Sequence, residues 1–413
     1  MSFQFGFAGS EELELEVGED PQVHYAQASR PAHVVEEVEE PARKLSLEAL
    51  LKTLPPALSY SPIFVPIAAQ APERTEHRLV LARRDLFDAR FQMLHHDSDI
   101  SADNNNPSEN LEPTSDRQIG TMGIPGSSSS GAVGADSDLV PGVYEGGLKT
   151  WECASDLIAE LHSRRQDAQL VLPGSKIIEL GCGTALPSMY VLSQLLSQSA
   201  TDSGKRTILD LADFNAQVLR LVTLPNLILT WYFSPASKAF QEQAKDHAPY
   251  KNAIEQETSA EVPGDLELSP ELLAAFQTSL DDRQIQLRFF SGPWSRLSAL
   301  LFPSSTDSAD QRRYDLILSS ETVYSLSTLP SLVNILYDCS TGGRKAAGDS
   351  ITGDGGGRAD CLVAAKVLYF GVGGGVHSFV QAVQAHERRR GSVQTVRQIN
   401  SGVGRAVLAV HWD

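Results

Sequence analysis

The stretch Lys176-Ile-Ile-Glu-Leu-Gly-Cys-Gly-Thr-Ala-Leu-Pro187 constrains this chain more than any other. Its apolar run has the length of a buried strand, the Gly-x-Gly pair ends that strand, and Pro187 suits the first turn of a helix, where a missing N–H costs nothing. A strand passing through a glycine turn into a helix is the opening unit of a doubly wound α/β fold. Gly181 and Gly183 let the backbone turn sharply and let a ligand approach the main chain with no Cβ in the way. Glu179 stands two residues before the first glycine, inside the strand.

The rest of 142–413 continues the alternation. Strand candidates fall at Lys176–Leu180, 207–212, 286–290, 314–319, 361–368 and 405–411, several of them apolar on both faces, as strands covered from both sides should be. Helical patterns separate them, which predicts a Rossmann-like α/β sheet with helices on both faces. Two polar inserts, at about 234–282 and 341–359, read as surface excursions, the first with a helix over 270–280.

Charge divides the remainder. The chain has 413 residues and a formal net charge of −18, of which residues 1–40 supply −9 and 97–140 supply −7, leaving −2 for the other 329. Residues 1–43 read as an acidic disordered arm and 97–141 as a low-complexity linker, because such compositions bury too little apolar surface to offset chain entropy. Residues 44–96 between them read as a helical extension. Apolar positions 45, 47, 50, 51 and 54 fit a short helix stopped by Pro55 and Pro56, and 79–94 fits a second, with Phe87, Phe91 and Leu94 on one face. A near-neutral folded part has no broad basic face for gripping nucleic acid. No apolar run reaches about 18 residues, so no membrane-spanning helix is expected, and the N-terminus lacks the pattern of a secretory signal. The four cysteines form no CxxC pair and the histidines no HxxxH spacing; free thiols and no metal site are expected.

Two ligands compete for the glycine turn. A dinucleotide site wants GxGxxG, but Leu186 occupies the last glycine position. S-adenosylmethionine carries no phosphate, and a Glu-x-Gly-x-Gly turn, presenting a carboxylate and bare backbone to a positively charged amino acid, suits it better. A tight turn with no ligand is the third reading. At the tip of the next strand, Asp213-Phe-Asn215 places a carboxylate where doubly wound folds hold ribose hydroxyls, although Asp213 could instead cap a helix. Asp210 competes for the ribose role, but mid-strand it would be buried or on the opposite face; a solvated or paired strand aspartate is its other reading. The strand from Tyr314 becomes polar at its C-terminal end, so Ser320, Glu321 and Tyr324 are candidates for contact with an acceptor, with core packing the alternative for Tyr324.

The ordered blocks Gly146-Gly-Leu-Lys-Thr-Trp-Glu-Cys153, Glu179-Leu-Gly-Cys-Gly183, Asp213-Phe-Asn215, Thr223-Leu-Pro-Asn226, Phe290-Ser-Gly-Pro-Trp294, the segment from Tyr314 to Tyr324, and Ala364-Ala-Lys-Val-Leu-Tyr-Phe-Gly-Val-Gly-Gly-Gly375 resemble the protein-histidine N-methyltransferase family, the methyltransferase-like-18 group of the seven-strand methyltransferases. Ser2-Phe-Gln-Phe-Gly-Phe7 and Arg84-Asp-Leu-Phe-Asp88 resemble its fungal members. The resemblance implies S-adenosylmethionine as cofactor. Thr150, Trp151, Glu152, Cys153 and Ala154 would line the donor pocket. Glu179, Gly181, Cys182 and Gly183 would face its methionine part, Asp213, Phe214 and Asn215 its ribose, and Gly292, Pro293, Trp294 and Ser320 its adenine. Thr184-Ala185 stands where the family often has Ser-Gly, a change of one methyl expected to be tolerable, and Pro293 stands where an acidic residue is frequent.

For catalysis, Glu321 would accept the N–H of one imidazole nitrogen and leave the other nucleophilic, with Tyr324 or Phe370 stacking on the ring; a helix-start carboxylate is the alternative for Glu321. The Gly371–Gly375 run would be an acceptor gate or a plain turn. The resemblance further implies a histidine of a large-subunit ribosomal protein as substrate, a role in ribosome biogenesis or translation, cytoplasmic and nuclear localisation, a monomer, and no required nucleic acid or membrane. The acidic arm would then favour encounter with a basic ribosomal protein at low salt. A protein-lysine methyltransferase of the same fold and a non-catalytic ribosome-assembly factor are the alternatives.

Overall fold

Along β4 (Lys176–Leu180), Ile177 packs into one apolar cluster while Ile178 and Leu180 pack into another. The same alternation recurs in β5 (Thr207–Asp213), β8 (Leu316–Ser320), β9 (Asp360–Lys366) and β11 (Arg405–Trp412). Successive strand side chains point to opposite faces, so two cores mean helices on both sides. Helices Glu152–Gln166, Leu186–Leu196 and Leu224–Tyr232 cover one face, and Trp294–Leu301, Leu329–Thr341 and Val376–Gln384 the other. The computed structural model describes residues 41–67, 78–85, 87, 147–198, 205–247, 259–303, 312–343, 359–370 and 373–412.

These strands belong to an eight-stranded sheet of order β1-β7-β5-β4-β8-β9-β11-β10, completed by β1 (Arg43–Leu45), β7 (Ile285–Ser291) and β10 (Gly391–Ile399). The five strands from β7 to β9 are parallel; β1 joins β7 antiparallel, and β11 and β10 continue antiparallel from β9. From β4 the chain builds outward through β5 and β7, then returns to place β8 on the other side of β4. That reversal opens a crevice at the C-terminal ends of β4 and β8, where sheets of this kind bind ligands. The doubly wound expectation holds, and all six strand candidates are present. The eighth strand is β1, an edge addition from the N-terminal extension.

A second sheet, of order β3-β2-β6, corrects two expectations. It consists of β2 (Ala57–Pro66), β3 (Arg78–Arg84) and β6 (Gly264–Glu267). The start of the expected helix 79–94 is therefore a strand, with Leu79 opposite Val65 and Leu81 opposite Ile63; pairing with β2 overrides the helical spacing. Phe91 and Leu94 lie outside the described residues. The 44–96 region is thus mixed. Helix Leu47–Lys52 forms after the Ser46 cap and ends before Pro55, and strands follow.

Nor is the 234–282 insert a mere excursion, because Leu266 of β6 pairs opposite Leu58 and the helix Pro270–Asp282 buries Leu272, Phe276 and Leu280. The Phe276 ring stands edge-on to Trp231 at 5.7 Å. Asp210 is buried as expected, gripped by Arg288 through two bonds of 2.6 Å and by the Tyr314 hydroxyl at 2.5 Å. All four cysteines are free and buried. Residues 1–40 of the acidic arm 1–43, the whole linker 97–141 and residues 344–358 of the second insert lie outside the described residues.

Candidate active site

Leu180 hands the chain to a turn that only glycine fits at two points. Gly181 has φ 68° and Gly183 φ 49°; a Cβ on Gly181 would stand 2.4 Å from the Thr322 methyl, and one on Gly183 3.2 Å from the Gly147 backbone. The end of β5 holds this turn in place. The Ala212 carbonyl accepts from the N–H groups of Gly181 and Cys182, and the Asp213 carboxylate accepts from Gly183 N–H at 2.9 Å and Asn215 N–H at 3.0 Å. Asp213 is buried, and each of its oxygens takes a backbone N–H, so it clamps the glycine turn to the neighbouring strand. It does not cap a helix. A carboxylate keeps further lone pairs for ribose hydroxyls beside these two bonds.

Ala185 carries more than an extra methyl. It sits at φ 57°, the left-handed region, which costs an L residue about 1–2 kcal/mol. Full burial of its methyl offsets about 0.8 kcal/mol of that.

Glu179 is fully buried. One oxygen accepts from Ser188 N–H at 2.9 Å at the start of helix Leu186–Leu196, and the other has no hydrogen-bond partner among the described residues. Burial, reinforced by Asp213, pushes its carboxyl up to about 8, although the Ser188 bond works the other way. An unpaired buried carboxylate oxygen beneath a glycine turn fits the ammonium group of an amino-acid-like donor. Beside the turn stands the Trp294 ring, 3.6 Å from where a Gly181 Cβ would lie. Gly292, at φ 122°, passes under Ala42 with no room for a side chain, and Pro293 precedes the helix Trp294–Leu301 without a capping bond. These groups, with half-buried Phe214 and Asn215 after β5, fit S-adenosylmethionine as the residue pattern predicts.

The start of helix Glu152–Gln166 meets the same edge. Thr150 donates its hydroxyl to Thr184 at 3.0 Å. Trp151 is not simply an apolar wall: the ammonium groups of Lys149 and Lys366 each lie 4.4 Å from its ring centre. Glu152 reaches Lys366 at 3.7 Å. Cys153 and Ala154 turn into the core.

At the end of β8, Ser320 is followed by Glu321 in a left-handed backbone conformation, φ 57°. No helix starts there, which removes the helix-start reading of its carboxylate. Tyr369 donates its hydroxyl to Glu321 Oε2 at 2.6 Å, and the same hydroxyl accepts from Lys366 N–H at 3.2 Å. Lys366 Nζ lies 3.8 Å from Glu321 Oε1, which meets no nitrogen or oxygen donor at hydrogen-bond distance among the described residues. Burial first, then the Glu321 charge, keeps the Cys153 thiol far above its ordinary value and therefore neutral.

Tyr324 stands edge-on to Tyr369, 6.4 Å between ring centres. Phe370 is 82% exposed. Gly371 lies outside the described residues. Gly373 and Gly374 form a pinned turn, with Gly373 bridged to Ser325 and Gly374 N–H donating to Tyr324 O at 3.0 Å. Lys366 and Tyr369 escaped the sequence reading as site residues. The strand-end rule that found Glu321 also marks Lys366, the last residue of β9.

No protein-family model matches the chain. It is 30% identical over 369 residues to histidine protein methyltransferase 1 of Schizosaccharomyces pombe, covering 89% of this chain and 84% of that one. It is 30% identical over 350 residues to histidine protein methyltransferase 1 of Saccharomyces cerevisiae, covering 82% and 78%. Among solved structures it resembles the rRNA methyltransferase aviRa from Streptomyces viridochromogenes at 14% identity and a TM-score of 0.30, over 64% of this chain and 94% of that one, a likeness too distant to bear on activity.

Proposed function

The chain belongs to the histidine protein methyltransferase family, an S-adenosylmethionine-dependent family of enzymes, and from that premise we propose that it methylates a histidine of a large-subunit ribosomal protein, in the cytoplasm or nucleus, in support of ribosome biogenesis or translation. The observation that carries an acceptor role is Glu321: a strained residue at the sheet's switch point, one oxygen fixed by Tyr369 and the other buried beside the Lys366 ammonium at 3.8 Å, with no nitrogen or oxygen donor at hydrogen-bond distance among the described residues.

S-adenosylmethionine supplies an electrophilic methyl on sulfonium. Gly181, Gly183 and Glu179 would hold its amino-acid part, Asp213 and Asn215 its ribose, and Trp294 its base. An imidazole, with a reference pKa of about 6.5, is largely neutral at pH 7 and needs no strong base. What remains is choosing the tautomer. Glu321 Oε1 accepts the N–H of one ring nitrogen, and the other nitrogen then presents its lone pair. Tyr369 locks the carboxylate's rotation, and Lys366 beside it opposes protonation of the acceptor ring. Tyr324 borders the ring, and the walls of the crevice exclude water.

Incubation with labelled donor and ribosomal proteins, both free and in preribosomal particles, followed by methyl-histidine analysis, tests the substrate. Label in a large-subunit protein histidine is expected; label in lysine, or none, overturns the proposal. Glu321→Gln should lower kcat about 100-fold with donor affinity unchanged, and full kcat in that variant would remove the tautomer role.

A further inference from the structure

Two consecutive residues of the N-terminal sheet end on one residue of the donor turn. Arg83 Nη1 donates to the Thr150 hydroxyl at 3.1 Å, and that hydroxyl donates to Thr184 Oγ1 at 3.0 Å. Arg84 N–H donates to Asn226 Oδ1 at 2.8 Å, and Asn226 Nδ2 donates to the Thr184 carbonyl at 2.9 Å. The directions are fixed by chemistry. A guanidinium only donates, so Thr150 must turn its single hydrogen onward to Thr184. The Arg84 amide hydrogen needs an oxygen, so Asn226 must face Thr184 with its nitrogen. Arg83 reaches out through its side chain and Arg84 through its main-chain N–H, and the two paths converge, one on the side chain and one on the main chain of Thr184. The Arg84 path is internal, since Asn226 and Thr184 are buried; Arg83 and Thr150 are partly buried, and their path ends on buried Thr184. Thr184 directly follows Gly183, which Asp213 grips from the other side.

We infer that Arg83 is a positioning residue for the methyl donor, acting through Thr150 on the glycine turn, so that the N-terminal β-sheet is a working part of the donor site. This goes beyond the reaction assigned above, because it concerns a residue outside every block of the donor pattern. It rests on the donor reading alone and not on the identity of the acceptor.

The test is equilibrium titration of the full chain with S-adenosylmethionine and S-adenosylhomocysteine, with thermal melting alongside. Arg83→Met should weaken donor binding about tenfold, the usual scale for a charge-assisted hydrogen bond, and Thr150→Val should do the same. The double variant should be no worse than either single one, because both remove the same relay. At saturating donor, kcat should return to within about twofold of the parent, so the effect appears in the donor KM. Arg78→Met, at the other end of the same strand where Arg78 stacks on Phe64, should leave donor affinity unchanged.

Donor affinity within about twofold of the parent in folded Arg83→Met, or fully additive losses in the double variant, would overturn the inference. If Arg83→Met does not fold, Thr150→Val against Thr150→Ser decides: loss with valine and retention with serine support the relay, and equal affinities overturn it. Failure of the parent chain to bind either nucleoside would instead strike the donor reading itself.

Discussion

Glu179 predicts that donor binding expels a proton. In the donor-free protein its carboxyl is pushed up to about 8, chiefly by burial, so at pH 6.5 it is almost fully protonated. An ammonium group brought against its unpaired oxygen favours the carboxylate and returns its pKa toward the ordinary range near 4.3. Binding at pH 6.5 should therefore release about one proton, and affinity should rise about tenfold per pH unit until pH approaches 8. Above that, the donor's own α-amino group, with a reference pKa of about 7.8, begins to lose its charge and affinity should fall. The sign for stability is opposite. A carboxyl whose folded pKa is raised stabilises the fold below its unfolded pKa, and that contribution disappears as pH climbs through the folded value; the donor-free protein should lose stability between about pH 4.3 and 8. Bound donor should reverse that loss. Isothermal titration calorimetry at pH 6.5 in buffers of different ionisation enthalpy counts the proton directly. Glu179→Gln should release none and show flat affinity below pH 7. Release of less than about a third of a proton by the parent, or equal release by the glutamine variant, would refute the pairing of Glu179 with the donor.

Asp210→Ala should cost about 3–5 kcal/mol of stability, because the Arg288 guanidinium would stay buried without its carboxylate; urea denaturation reads this, and a loss below about 1 kcal/mol would contradict it. Gly374→Ala would place a Cβ 2.2 Å from the Tyr324 carbonyl, and Tyr369 N–H bonds to the Gly374 carbonyl. The loop bearing Tyr369 must then shift, so kcat should fall at least about tenfold with donor affinity unchanged; unaltered kcat would detach this turn from catalysis. Gly181→Ala, with φ 68° and Thr322 in the way, should weaken donor binding about 100-fold or more in a direct titration, and retained affinity would exclude the turn as the donor site.

The parallel strands and the glycine turn could be read in the sequence because their signals are local: short apolar runs, a Gly-x-Gly pair, and a proline placed for a helix start. The β3-β2-β6 sheet could not, because Ala57–Pro66 carries two prolines and finds its partner strand Gly264–Glu267 some two hundred residues away. Periodicity over 79–94 points to a helix; pairing with β2 overrides it as far as Arg84, while Phe87 is helical. In the site, position at a strand end identified Glu321 and Asp213, but not what each holds. Asp213 serves backbone N–H groups, Trp151 stands between two lysines, and Ala185 adopts a conformation that glycine favours. Such roles depend on which side chains arrive from other strands, and no single stretch of sequence records that.

The three-residue strand Arg43–Leu45 pairs with Phe289, Phe290 and Ser291, and so covers one edge of the main sheet with the part of that sheet made first. At about 5–20 residues per second of synthesis, its partner emerges some tens of seconds later, and until then the first-made strand has no sheet to join. Trimming the chain to start at residue 142 would remove β1, β2 and β3 together, leaving the Phe289–Phe290 edge and the Leu266 strand open. Bare apolar strand edges invite pairing between molecules. Such a shortened chain should aggregate even though every strand of the parallel core is still present.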